Sequence, residues 1–260
     1  MRRRRNPDAR PDSGCTKIEF ILREFHAVAE SLDKTVLNPG SLFPKCFRRE
    51  GNSMTAPITL VLFDMEGVLS HYDRSARVDR LAAISGQKPE AVRHAIWESG
   101  LEARADAGQI SDDDYLGALG ELLNYPVSRD DWLSARHASI TPNKDVLALA
   151  ERVAEHHRIA VLTNNCRLLT EHIGFLNPPV AQVFGPHVYA SAAFGAAKPA
   201  AQTYLRCVEQ LGVPAAETLF VDDTDANVAG ALDAGLQGYR FVSAEALLAE
   251  LARYGLIEQT

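Results

Sequence analysis

Little in this chain is suited to stapling it, anchoring it or drawing it to a polyanion. Its 260 residues include only 4 cysteines, Cys15, Cys46, Cys166 and Cys207, none in a C-x-x-C pair. No disulfide framework or zinc site follows, and a reducing cytoplasm is the expected compartment. No apolar stretch approaches the roughly 20 residues of a membrane-spanning helix. Positive charge is in deficit, with a formal net charge of −7, so the electrostatic footprint of a nucleic-acid binder is missing. Neither nucleic acid nor membrane is an expected partner. No internal repeat is visible. What remains, 46% hydrophobic and 23% charged residues, is the composition of an ordinary globular protein.

The charge is unevenly spread. Residues 1–53 hold 11 Lys/Arg against 7 Asp/Glu, a net +4, whereas the rest holds 16 against 27, a net −11. The opening MRRRRNPDARPDSG resembles the basic start of a signal peptide but lacks the apolar run that must follow, as charges break IEFILREFHAVAE. Residues 1–53 are expected to be a disordered or accessory extension, or the product of a misassigned start codon upstream of Met54; a targeting or partner-binding tail is the alternative.

From residue 57 onward, short apolar runs alternate with helical periodicity. Runs at 58–63 (ITLVLF), 158–163 (RIAVLT), 187–191, 218–222 (TLFVD) and 238–242 suit strands, the clearest of them buried on both faces. Helices are expected over 145–156, 200–211 and 225–234, the last closed by Gly235. Such alternation predicts an α/β fold, a Rossmann-like parallel sheet with helices on both faces. Residues 70–140 interrupt it, with helical spacing over 74–84, 89–98, 112–123 and 129–138 and no convincing strand. The expected organisation is a core domain of 54–69 and 141–260 with an all-helical cap domain, 70–140, inserted after the first strand.

Ligands of such sheets bind at the carboxyl ends of the strands, and there the polar residues gather. One strand ends in Asp64-Met65-Glu66-Gly67, another in Thr163-Asn164-Asn165, another in Asp222-Asp223-Thr224-Asp225, and Lys198-Pro199 opens a helix. Asp64 and Asp223 brought together would repel unless a cation lay between them, and hard oxygen donors suit Mg²⁺. The ion and the Lys198 ammonium would neutralise a phosphate dianion, with the Thr163 hydroxyl and backbone N–H groups bonding its oxygens. A carboxylate could then attack phosphorus while Glu66 handles the proton.

Four motifs in order, LVLFDMEG, AVLTN, GAAKP and LFVDDTDAN, resemble those of the haloacid dehalogenase-like (HAD) hydrolase superfamily, most of whose members are phosphatases. The gap of 99 residues from Asp64 to Thr163 is similar to that of members with a helical cap after the first motif. The resemblance implies an Mg²⁺-dependent phosphatase acting on a small phosphorylated metabolite through an aspartyl-phosphate. It implies that Asp64 is nucleophile and metal ligand and that Glu66 is acid/base by its side chain and metal ligand by its backbone carbonyl. Thr163, Asn164 and Lys198 would bind phosphate. Asp223 would complete the metal site, with Asn227 in support; Asp222 is the alternative ligand, and Asp223 is favoured by its spacing to Asn227.

Glu66 departs from the family, where phosphatases usually carry Asp; the extra methylene moves the acid by about 1.5 Å, on the scale of the ~1 Å displacement that costs 10²-fold in rate. Family members such as the enolase-phosphatases resemble this chain in carrying D-x-E-G. Two rival readings are a 2-haloacid dehalogenase, which needs no metal, and a regulatory phosphoacceptor resembling a receiver domain. Around the site, Asn165 is expected only to cap a helix, and Cys166 to be a small packed residue. Trp97 and Trp132 are expected in the core, and His156-His157 at a helix C-terminus. The segment 100–111 is similar to the cap segment that relatives present to the substrate; Glu102, Arg104 and Asp106 there are either specificity residues or plain surface charge. His71, Tyr72, Asp73 and Arg74 are equally open between substrate contact and linker.

Overall fold

The structure is a computed structural model that describes residues 56–258. The expectations for 1–53, and Cys15 and Cys46 with them, lie outside the described residues.

Five parallel strands form the central sheet: β1 (Leu60–Phe63), β4 (Arg158–Thr163), β5 (Val188–Ala190), β6 (Thr218–Asp222) and β7 (Gln237–Arg240), in the spatial order β5-β4-β1-β6-β7. β1 lies in the middle, with Phe63 in register with Val161 and Val221. The two-residue period of a strand sorts its side chains. Val61, Phe63, Val161 and Val221 face one core, while Leu60, Leu62, Ala160, Leu162 and Phe220 face another. The first core is closed by helices α6 (Lys144–Ala154) and α12 (Ala244–Arg253) through Val146, Leu149, Val153, Leu247 and Leu251. The second is closed by α10 (Ala201–Leu211) and α11 (Asp225–Asp233) through Tyr204, Cys207, Leu211 and Ala231. Both faces are covered, which is why the strands read as continuous apolar runs.

Between β1 and α6 runs the helical insert: α1 (Arg74–Ser85), α2 (Pro89–Arg93) continuing into a π-turn (His94–Glu98), α3 (Leu101–Asp106), α4 (Asp112–Leu123) and α5 (Arg129–Ser139). Its caps follow the sequence. Asp73 accepts from the amides of Ser75 and Ala76 at the start of α1, Ser111 from Asp114 at the start of α4, and Ser128 forms a capping box with Asp131 at the start of α5. Its apolar residues, among them Leu81, Val92, Leu119 and Trp132, continue the first core of the sheet.

One correction concerns residues 70–140, where no strand was expected. Ser70–Tyr72 (β2) pairs antiparallel with Ile140–Pro142 (β3), a ribbon at the point where the chain leaves and re-enters the sheet layer. Three residues are too few for a period-two signal. Three short helices after β4, α7 (Arg167–Glu171), α8 (Ile173–Leu176) and α9 (Pro178–Phe184), complete the fold. No helix among the described residues is long and apolar enough to cross a membrane.

Candidate active site

The carboxyl ends of β1, β4 and β6 open into a cavity of 480 Å³ whose other wall is the insert. On the sheet side, Asp64 follows β1, its amide bonded to the Val221 carbonyl at 2.8 Å. The chain then turns sharply: Ser70 bonds back to the Met65 carbonyl through both its amide (2.9 Å) and its hydroxyl (3.1 Å). Gly67 makes the turn feasible. Its φ is +96°, and a Cβ there would strike the Asp223 carboxylate.

Lys198 is buried at this rim, and its three ammonium donors are all taken: by Asp64 Oδ1 at 2.7 Å, Asp222 Oδ2 at 2.8 Å and the Leu162 carbonyl at 3.0 Å. Burial would lower its pKa, but Asp64 and then Asp222 outweigh that and hold it above the ordinary lysine value. Burial pushes the Asp64 carboxyl up to about 7; Lys198 opposes this and the charge of Asp222 adds to it. Asp222 and Asp223, the two alternative ligands, differ in their surroundings. Asp222 is fully buried and occupied by Lys198, by the Thr224 amide at 2.8 Å and by Asn227 Nδ2 at 3.0 Å. Asp223 is the one of the two that lines the cavity. Asn227 therefore supports Asp222 directly, not Asp223.

At the end of β4, Thr163 and Asn164 line the cavity. The Asn164 side chain, however, is committed to the Lys198 backbone, accepting from its amide at 2.8 Å and donating to its carbonyl at 2.9 Å. Asn165 is not the helix cap that the sequence suggests, since Cys166 takes that position. Asn165 is buried, donates to Thr163 Oγ1 at 2.8 Å, and accepts from Arg136 Nη2 at 2.7 Å. Cys166 is a packed residue, its thiol pushed up to about 12 by burial.

The insert wall carries residues that the sequence reading missed. Arg77 on α1 and Arg136 on α5 are both buried. Arg77 forms a two-pronged pair with Glu102 on α3, at 2.5 and 3.1 Å, and also donates to the hydroxyls of Tyr72 and Tyr115, both at 3.0 Å; Tyr115 in turn donates to Glu102. Burial alone would raise the Glu102 pKa, but Arg77 holds it below the usual value. Arg136 Nη2 reaches Glu66 Oε1 at 2.5 Å, and its Nη1 reaches the Tyr72 hydroxyl at 3.1 Å. Burial would lower the Arg136 pKa; the Glu66 charge and Tyr72 override it and raise it. The signal in sequence was faint: each arginine falls on the apolar side of its helix, at a position whose neighbours Val78, Leu81, Trp132 and Leu133 are core.

The remaining candidates divide. Glu102 and Asp106 line the cavity; Arg104 is exposed and does not. Burial, with Glu102 adding, pushes the Asp106 carboxyl up to about 8; Arg136 opposes this and Glu66 adds to it. Trp132 is a core residue as expected; Trp97 packs against the same core and also lines the cavity, under the guanidinium groups of Arg74 (5.3 Å) and Arg77 (5.7 Å). Of the hinge residues, Tyr72 and Arg74 line the cavity, Asp73 caps α1, and His71 is exposed. His156 and His157 follow the end of α6, as expected.

Oxygen atoms of Asp64, Asp222 and Asp223 lie within 4.8 Å of one another. Three carboxylates around one ammonium leave formal negative charge uncompensated, and their donor set is hard oxygen. That donor set fits a hydrated divalent cation such as Mg²⁺.

A family model for haloacid dehalogenase-like hydrolases matches residues 58–235, most of the chain and both walls of the cavity. This chain is a member of that family. It is a hydrolase, and relatives fall on either side of its chemistry. A Mycobacterium tuberculosis protein named a phosphatase is 29% identical over 190 residues, spanning 70% of this chain and 86% of the relative. A HAD-like family hydrolase from Porphyromonas gingivalis superposes with a TM-score of 0.65 at 24% identity, over 78% of this chain and 100% of that one. A HAD family enzyme from Bacteroides thetaiotaomicron, crystallised with magnesium and inorganic phosphate, gives a TM-score of 0.61 at 20% identity, over 70% and 93%. The L-2-haloacid dehalogenase of Xanthobacter autotrophicus gives 0.52 at 25% identity, over 75% and 83%.

Proposed function

We propose that this HAD-like hydrolase is an Mg²⁺-dependent phosphatase acting on a small phosphorylated metabolite. The observation that carries the reading is the rim itself: Asp64 and Asp222 share a single ammonium, Lys198, and Asp223 adds a third carboxylate within 4.8 Å of them with no ion-pair partner among the described residues. A dehalogenase needs no such surplus of carboxylate, because halide leaves carbon without a metal. The relative named a phosphatase and the neighbour crystallised with magnesium and phosphate support the same choice.

Asp64, Asp223 and the Glu66 backbone carbonyl would hold the cation, which when bound supplies charge neutralisation for the rim and the phosphoryl oxygens. Asp64 attacks phosphorus through the carboxylate oxygen not paired with Lys198, the bond to the leaving oxygen breaks, and an aspartyl-phosphate remains. Glu66 gives its proton to the leaving oxygen and afterwards takes one from the water that attacks the phosphorus of that intermediate. Thr163, its hydroxyl oriented by Asn165, and the backbone at Asn164 receive the phosphoryl oxygens. Lys198 contributes chiefly as charge, since its donors are already engaged by the chain. The insert serves as a cap that closes the cavity against bulk water. A cytoplasmic setting agrees with two buried cysteines held as free thiols.

The test is a screen of sugar, nucleotide and carboxylate phosphates and an aryl phosphate, with Mg²⁺ and with EDTA. Mg²⁺-dependent phosphate release supports the reading; halide release from 2-haloacids that survives EDTA overturns it.

A further inference from the structure

We propose that Arg136 is the positioning residue for Glu66, so that the acid/base of this enzyme is aimed from the insert and not by its own loop. The inference rests on the phosphatase reading above. Glu66 sits in a loop whose backbone is tightly bonded, but its side chain has one more rotatable bond than the aspartate usual at this place. Left alone, that carboxylate would sample positions more than 1 Å apart, a spread that matters for proton transfer.

The structure holds it at one point. Arg136 Nη2 donates to Glu66 Oε1 at 2.5 Å and to Asn165 Oδ1 at 2.7 Å, while Nη1 donates to the Tyr72 hydroxyl at 3.1 Å. The guanidinium also lies over the rings of Tyr72 (4.9 Å) and Trp132 (5.6 Å), and only 1% of Arg136 is exposed. A planar donor fork fixed on several sides has little freedom of its own, and this makes it a reference point for the acid. The same fork continues through Asn165 to the Thr163 hydroxyl. The proton-transfer group and a phosphate-binding group are thus set by one side chain of α5. The length of glutamate then has a reason: an aspartate at 66 would fall about one methylene short of Arg136.

The experiment measures kcat/KM for wild type, Arg136→Met, Arg136→Lys and Glu66→Asp against aryl phosphates whose leaving phenols range in pKa from about 4 to about 10. A positioning role predicts a loss on the order of 10²-fold for the poorest leaving groups and only a few-fold for the best in Arg136→Met. It also predicts a similar slope in Glu66→Asp, little added loss when Arg136→Met and Glu66→Asp are combined, and partial rescue by Arg136→Lys. An equal loss across the series, with the slope of wild type, overturns the proposal, as does Glu66→Asp matching or exceeding wild type. The pair is also read without turnover, from the side-chain ¹⁵N–¹H signals of Arg136 in wild type and Glu66→Gln. Signals slowed and shifted in wild type and released in the variant support the pair; signals insensitive to Glu66 overturn it. A wild type without aryl phosphatase activity would defeat the functional reading alone, and the spectroscopic outcome would still decide this one.

Discussion

The two walls of the cavity balance charge in opposite ways. On the sheet rim, two of three clustered carboxylates share one ammonium, and the ammonium has no donor left to give the third. On the insert wall, Arg77 and Arg136 meet Glu102 and Glu66, and Asp106 is driven toward its neutral form. One wall carries surplus carboxylate; the other pairs its buried arginines with acids. Crowded carboxylate charge is costly, and the proposed cation would relieve it at the rim. The self-satisfied wall gives shape and aim.

If the rim is where chemistry happens, Asp64→Asn is the sharpest way to break the contrast. It keeps the size of the side chain and removes the nucleophile. Turnover of an aryl phosphate should fall on the order of 10⁴-fold or more, with an unchanged circular dichroism spectrum. Activity within tenfold of wild type would take the reaction away from the rim.

The insert wall should answer in stability. Arg77→Met leaves the largely enclosed Glu102 with the Tyr115 hydroxyl and with Arg136 as its nearest cation at 4.0 Å. Removing one member of a buried pair costs about 3 to 5 kcal/mol, roughly 10 °C in melting temperature for a chain of this length. The double variant Arg77→Met/Glu102→Leu should recover much of that loss, because a well-packed apolar pair often replaces a buried ion pair without penalty. A single variant as stable as wild type would show that the wall is wetter than its burial implies.

The rim should respond to metal where the wall does not. Millimolar Mg²⁺ should raise the wild-type melting temperature by on the order of 5 °C through binding to the native state alone. Asp223→Asn should lose that response, while its metal-free stability stays level or rises slightly, since one of the crowded charges is gone. Arg77→Met should keep the Mg²⁺ response at its lower baseline. An Mg²⁺ response retained by Asp223→Asn would move the ion site toward Asp222.

The same division governs what the sequence made legible. The rim is readable because its carboxylates and Thr163 sit where apolar runs stop, and a buried strand that runs out at Asp64, Thr163 or Asp222 advertises the edge of a sheet. Even there, sequence did not reveal which of two adjacent aspartates turns inward, because register at a strand end depends on neighbours such as Lys198 and Asn227. The wall was nearly illegible. Arg77, Glu102, Tyr115 and Arg136 come from four helices, and each alone resembles an ordinary amphipathic surface residue. Asn165 looks like a cap in sequence because Asn before a helix usually is one; its contact with Arg136 spans 29 positions in sequence. Strand periodicity is local, whereas a polar cluster between helices exists only after packing.

The smallest effect tests the claim that the wall is neutral. Asp106 lies one turn beyond Glu102 and faces Glu66 and Arg136, and its carboxyl holds a proton up to about pH 8 in the folded chain. Unfolded, it would ionise near 3.9. Between those values unfolding releases a proton, so this group makes the folded state progressively less stable as pH rises, until the effect levels off above about 8. Asparagine cannot ionise in either state. Asp106→Asn should therefore match wild type near pH 4 and overtake it toward pH 8.5, the gap in melting temperature widening by on the order of 5 °C. A gap that stays constant across this range would mean that Asp106 is charged and paired in the folded protein, most simply by Arg136. The guanidinium that holds Glu66 would then be shared between two acids, and the wall would no longer be the balanced partner of the rim.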